Sequence, residues 1–245
     1  MGSACLLPSS RSKTRCCLPS VSSQPGKSSC GPSVILSPSA VEREIVVLLY
    51  AAPPNPLTLA AMLLARDRSQ LLIIDAQDKL LAAITGKDRV VKRCVRLVRA
   101  ARVLNVPVTL SEQYPEGLGP TAKPIREAAA NVGFVIDKVE FSCLRNTPLR
   151  DRLHELRRQG RPQVVIAGTE AHVCVLQTAI ELEGHGFEAF VVADAIGSRS
   201  RASRKRAITR LLKEGADIVD SEMVVFEWLE RAGTPEFKEL QGLIK

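Results

Sequence analysis

Histidine is nearly missing from this chain. Only His154, His172 and His185 occur in 245 residues. His154 lies in a charged helical pattern and His185 sits between Gly184 and Gly186, so no two share a helix face at metal-ligand spacing. This argues against a histidine-built metal centre, and no metal or cofactor is expected. Long apolar runs are also missing. Ile45–Tyr50 is too short to span a bilayer, and Pro53, Pro54 and Pro56 interrupt its continuation. No membrane partner is expected, and there is no signal-peptide layout. Acidic residues are absent from Arg199, Arg201, Arg204, Lys205, Arg206, Arg210 and Lys213 and the positions between them, and so are aromatics. Without aromatics the run offers no stacking platform for single strands. It reads as a solvated helix face, with an arginine or two serving a substrate or a subunit contact, and nucleic acid is not the expected partner. A patch for a polyanion is the alternative.

Acids are missing again from residues 1 to 40, which are rich in Ser, Pro and Cys and carry Arg11, Lys13, Arg15 and Lys27. Such a segment has too little apolar periodicity to fold. Residues 1–66 are expected to be a disordered, dispensable tail, either transit-like or a reading frame extended upstream of Met62. Residues 67–245 are expected to form one domain, large enough to bury a core. Four of the seven cysteines (Cys5, Cys16, Cys17 and Cys30) fall in the tail. The odd remainder, Cys94, Cys143 and Cys174, suits a reducing compartment. The expected location is cytoplasmic, or mitochondrial if the tail is a transit peptide.

In the domain, strand and helix patterns alternate, which signals a parallel α/β sheet. Strands are expected at Leu71–Ile74, Val106–Leu110, Gly133–Ile136, Gln163–Ala167, Phe187–Ala193 and Asp217–Val219. Helices are expected at Asp88–Leu104, near Ala122–Ala130, at Thr147–Gln159, after the Gly168–His172 turn, near Arg201–Glu214, at Glu222–Arg231 with Ser221 as cap, and over Thr234–Ile244.

Three strand ends carry chemistry. Leu71–Ile74 is wholly apolar, as in a central strand buried on both faces, and it stops at Asp75. The third strand leads to Lys138. The fourth runs into a sharp turn and a helix whose first turn holds Cys174, where N–H groups and the macrodipole favour a thiolate. Taken singly, Cys174 could be a small core residue, Asp75 a helix cap and Lys138 a solvated amine. Together they form a nucleophilic site at the carboxyl edge of the sheet, where open α/β folds place ligands. Asp75 takes the thiol proton, Cys174 attacks, and Lys138 orients Asp75. His172 stands two residues before Cys174, a spacing at which side chains around a helix start point apart.

Asp75-Ala-Gln77, Lys138 followed by Phe141-Ser142, and Gly168-Thr-Glu-Ala-His-Val-Cys174 resemble the isochorismatase-like cysteine hydrolases. Ser111-Glu-Gln-Tyr-Pro-Glu-Gly-Leu-Gly-Pro-Thr121 is similar to the branch of isochorismatase domain-containing proteins. The resemblance covers about Arg68 to Lys245. It implies a Rossmann-like, three-layer α/β/α fold with six parallel strands in order 3-2-1-4-5-6. It also implies the triad Asp75, Lys138 and Cys174, and a cis peptide at Thr169–Glu170. The N–H groups of Glu170 and Cys174 would form the oxyanion hole. Gln77, Tyr114, Leu118 and Phe141 are candidate pocket residues. A homo-oligomer, dimer or larger, is implied too. Nicotinamidases of this superfamily hold a metal through Asp and His after the second strand, but Ser111-Glu112-Gln113-Tyr114-Pro115 has no histidine. The expected activity is therefore metal-free cleavage of a small amide or related carbonyl substrate through an acyl-cysteine. The alternatives are isochorismate-type vinyl ether hydrolysis without an acyl-enzyme, and a non-catalytic module binding a polyanion or protein.

Overall fold

The computed structural model describes residues 63–131 and 133–244. The expectations for the tail lie outside the described residues up to 62. Six strands are present: β1 (Ser69–Ile74), β2 (Val108–Gln113), β3 (Gly133–Lys138), β4 (Gln163–Thr169), β5 (Glu188–Gly197) and β6 (Asp217–Val219). The α-helices among the described residues are α1 (Asp78–Leu81), α2 (Lys87–Val103), α3 (Pro115–Leu118), α4 (Lys123–Ala128), α5 (Thr147–Arg158), α6 (Leu176–Gly184), α7 (Arg201–Lys213), α8 (Ser221–Leu229) and α9 (Pro235–Ile244).

All strands pair in parallel in the order β3-β2-β1-β4-β5-β6. This is the three-layer fold expected, and alternation along the central strands explains it. Leu71 and Ile73 of β1, Val165 and Ala167 of β4, and Phe190 and Val192 of β5 face one core with α2, α4, α8 and α9. Leu72, Ile74, Val164, Ile166, Ala189 and Val191 face the other, with α5, α6 and α7. Successive side chains of a strand point to opposite faces, so a strand covered on both sides is apolar throughout. No helix among the described residues is long and apolar enough to cross a membrane.

Several boundaries differ from the expected ones for identifiable reasons. β2 continues through Ser111, Glu112 and Gln113, and β5 runs on to Gly197. The polar end of β2 read as loop, but Ser111–Gln113 stay paired with β3, and Ile196 and Gly197 stay paired with β4. Asp220, not Ser221, caps α8. Its carboxylate accepts from the N–H groups of Glu222 and Met223, while Ser221 is buried and hydrogen-bonded to Asp194. Residues 63–66, before the expected domain start, also contact the domain. Leu64 is buried and its N–H donates to Glu227. Ala65 N–H donates to the Gln163 side chain, whose amide donates to Leu63 O.

Two outcomes follow in denaturation experiments. Gly168 has φ 114°, and a Cβ there would overlap the backbone of Ile74. Gly168→Ala is expected to lose about 3 kcal/mol or more, because backbone cannot step aside. A loss under about 1 kcal/mol would show that β1 and β4 can separate at this point. Leu64→Ala is expected to cost about 2–4 kcal/mol, as for other buried leucines. An unchanged melting curve would place Leu64 outside the cooperative unit.

Candidate active site

The strand order sets the site. β1 and β3 flank β2, so Asp75 just after β1 and Lys138 at the end of β3 approach each other across β2. Asp75 has φ 47°, which turns the chain at the strand end. Lys138 Nζ donates to Asp75 Oδ2 at 2.7 Å, and neither side chain is exposed. β2 supplies further partners. Ser111 Oγ donates to Asp75 Oδ1 at 2.7 Å, and Gln113 Oε1 accepts from Lys138 Nζ. The carbonyl of Glu140 accepts from the same amine at 3.0 Å. Thr169 Oγ1 donates to the Asp75 carbonyl at 2.7 Å, tying the end of β4 to the end of β1.

Cys174 completes the group, close enough to Asp75 and Lys138 for both charges to act on its thiol. It lies in a π-helical turn, Ala171–Val175, ahead of α6 and not in the first turn of an α-helix. The Thr169–Glu170 peptide is cis. Cys174 is buried, with 6% of its surface exposed. The expected thiolate is not favoured at rest. Burial and the Asp75 charge together push the thiol up to about 12, despite the pull of Lys138. Lys138 already donates to Asp75, Gln113 and the Glu140 carbonyl, which takes up its three protons. Burial also raises the Asp75 carboxyl above its ordinary range, with Lys138 and Ser111 pulling it back. Burial pulls the Lys138 ammonium down, but Asp75 and the neighbouring thiols outweigh that and hold it above its usual value. The resting group is thus a thiol beside a carboxylate of raised basicity, suited to accepting one proton.

The other candidate residues divide. Gln77 is buried. Its amide donates to the carbonyls of Gln113 and Gly119, and its oxygen accepts from Gln113 N–H, so it clamps the loop after β2. Tyr114 and Phe141 are exposed on the loops after β2 and β3, and Leu118 is half-buried. The Glu170 carboxylate pairs with Arg199 at 3.0 Å, which leaves its backbone as the part available to a ligand. His172 Nδ1 lies 3.0 Å from Ser198 Oγ, so its ring has a partner other than the Cys174 thiol. Among the described residues there is no group of three or more His, Cys, Asp or Glu able to hold a metal ion.

Ser111, Gln113 and Cys143 were missed as site residues. Ser111 and Gln113 stand two apart on β2, so they project to one face. Two polar side chains in that register at the end of an apolar strand were the available signal. Cys143 is fully buried, and burial first, then Asp75, pushes its thiol up to about 11. Its N–H donates to Thr178 Oγ1.

The charges make a test of sign. Asp75→Asn removes an anion that raises the Cys174 pKa and keeps Lys138, so iodoacetamide should label Cys174 several-fold faster than in the parent near pH 8. Lys138→Met should slow it. Rate-resolved peptide mapping reads both, with the unexposed Cys94 and Cys143 as internal references. Slower labelling after Asp75→Asn would mean that loss of the base outweighs loss of the anion, and an unchanged rate would mean that the carboxylate does not face this thiol.

The isochorismatase domain family model matches residues 69–223. Isochorismatase domain-containing protein 1 of Danio rerio is 39% identical over 171 residues, covering 70% of this chain. The match spans only 59% of that longer protein. A solved structure described as the MAR1 ribonuclease of Caenorhabditis elegans is 35% identical and superposes with TM-score 0.69 over 74% of this chain and 91% of its own. The YcaC gene product of Escherichia coli, described as an octameric hydrolase of unknown specificity, shares the fold at 22% identity. Its TM-score is 0.69, over 78% of this chain and 92% of its own.

Proposed function

The chain belongs to the isochorismatase domain family, and on that premise we propose that it is a cysteine hydrolase of small amides or related carbonyl substrates. Asp75 takes the Cys174 proton as the sulfur attacks the carbonyl carbon. The carbonyl π electrons move to oxygen, and the N–H groups of Glu170 and Cys174 hold the oxyanion, each donor contributing roughly 3–4 kcal/mol. The tetrahedral intermediate collapses, the C–N bond breaks, and Asp75 returns the proton to the departing amine. Water then attacks the thioester while Asp75 accepts its proton. The acid product leaves and the proton passes back to sulfur. Lys138 and Ser111 hold the carboxylate in place throughout.

The observation that carries this reading is the buried Asp75 carboxylate, held by Lys138 and Ser111 near Cys174, the least deeply buried of the three described cysteines. A homo-oligomer is part of the proposal. Phe134 and Val135 of the edge strand β3, with Val139 and Phe141 beyond it, are more than half exposed and offer an apolar surface.

A second reading rests on α7, where Lys205, Arg206, Arg210 and Lys213 form an exposed basic face. Together with the ribonuclease description of the Caenorhabditis elegans relative, this supports RNA as an alternative substrate or partner. RNA binding of that kind weakens steeply with salt.

Intact-mass analysis after rapid quench with a panel of small amides and esters tests the first reading. An acyl adduct on Cys174 is expected, with no turnover by Asp75→Asn. The acid limb of kcat/KM should lie above the ordinary aspartate range of about 4, because activity falls as pH drops through a raised Asp75 pKa. Turnover that persists in Cys174→Ser without any adduct would replace acyl transfer with vinyl-ether-type chemistry. Salt-dependent RNA cleavage without amide or ester hydrolysis would favour the second reading.

A further inference from the structure

The N-termini of α2 and α7 border a cavity of about 350 Å³. Its lining is Thr85, Gly86, Arg89, Ser198, Ser200, Arg201 and Arg204, with three guanidinium groups, three hydroxyls and no carboxylate. Arg89 and Arg201 have no acidic partner among the described residues. Arg204 is fixed in place by the carbonyls of Ile196 and Ala193. Burial and then the Arg89 charge lower the Arg204 pKa, and the nearby Asp194 offsets only part of this. Asp194 is instead taken up by Arg93 and Ser221. Asp88, in the first turn of α2, does not line the cavity.

Like charges gathered in a concave site are unfavourable unless something negative joins them. The backbone adds to the same demand. Gly86, with φ 75°, precedes α2 and has no side chain to cap it, so the positive end of that 17-residue helix is open toward the cavity. The Ser200 hydroxyl caps α7 by accepting from Ser203 N–H, and the first turn of α7 holds no acid. Arginine forks and helix N-termini both match the oxygens of a tetrahedral dianion. The open face of α7, with Lys205, Arg206, Arg210 and Lys213, is a different surface lined by different residues.

We propose that Arg89, Arg201 and Arg204, at the meeting of α2 and α7, form a binding site for the phosphoryl group of a small molecule. None of the lining residues belongs to the Asp75–Lys138–Cys174 group, and the site does not depend on the hydrolase reading. Calorimetric titration with inorganic phosphate at constant ionic strength tests it. The parent and Cys174→Ala should bind saturably and alike. Arg201→Gln should weaken binding about tenfold, and Arg89→Gln with Arg201→Gln should weaken it further. Both arginines are exposed, so melting temperatures without phosphate should stay near the parent value. Changing Lys205, Arg206 and Lys213 to Gln should leave phosphate binding within twofold of the parent. The proposal is overturned if the parent shows no saturable binding, if Arg89→Gln with Arg201→Gln binds as the parent does, or if the surface triple variant loses binding equally.

Discussion

The ion pair between Asp75 and Lys138 is the constraint on which the rest of the site depends. Both side chains are fully buried and their charged atoms stand 2.7 Å apart. Burying two charges is costly, and their attraction repays the cost only when the remaining lone pairs and protons are also satisfied. Here Ser111 serves the second carboxylate oxygen, and Gln113 and the Glu140 carbonyl serve the ammonium. Removing one partner would strand a buried charge, at about 3–5 kcal/mol in comparable cases. An apolar pair of similar volume could fill the space without that exposure to loss. Retention of a charged pair at this depth therefore points to chemistry rather than to stability.

The loops at the carboxyl edge are arranged around that pair. Gln77 and Lys79 hold the loop after β2 through the carbonyls of Gln113, Gly119 and Gly117. Thr169 holds the start of the cysteine turn to the Asp75 carbonyl, and Glu170 reaches Arg199 beyond β5. Ends of four neighbouring strands are thereby joined by side-chain bonds, so Asp75 and the Cys174 turn are fixed to the sheet and not to free loops. Gly168 makes this possible, since only a residue without a side chain lets β4 approach Ile74 so closely at that φ.

Much of this was legible in the residues because buried strands and helix faces leave strong patterns. Leu71–Ile74 and Gln163–Ala167 announced central strands, and Asp75, Lys138 and Cys174 stood at their edges. The order of strands came from resemblance, because alternation says which residues face a core and nothing about which strands adjoin. Polarity misled at β2, where Ser111 and Gln113 read as loop while completing the charged group. Gln77 was a candidate pocket residue, and its amide is bonded to the backbone of Gln113 and Gly119. Ser221 looked like a cap, and Asp220 beside it is the better acceptor for two N–H groups. Each of these turns on which partner a polar side chain finds in space, and a single sequence does not carry that.

Burial and the Asp75 charge push the Cys174 thiol up where a lowered value was expected, and the cause bears on the chemistry. A helix start and a nearby lysine are the usual causes of a lowered thiol pKa. Here the lysine is already matched by Asp75, so a thiolate formed by losing its proton to solvent would leave two anions facing one cation. Passing the proton to Asp75 avoids this. The group begins as carboxylate, ammonium and thiol, and ends as carboxylic acid, ammonium and thiolate. The net charge is zero in both states. Burial opposes any change in total charge far more than a shift of the same charge between neighbouring atoms. Desolvation therefore suppresses escape of the proton to water while leaving its transfer between Cys174 and Asp75 open. Burial and the Asp75 charge push the resting thiol up to about 12, which keeps the sulfur protonated and unreactive until an electrophile arrives and its proton can pass to Asp75.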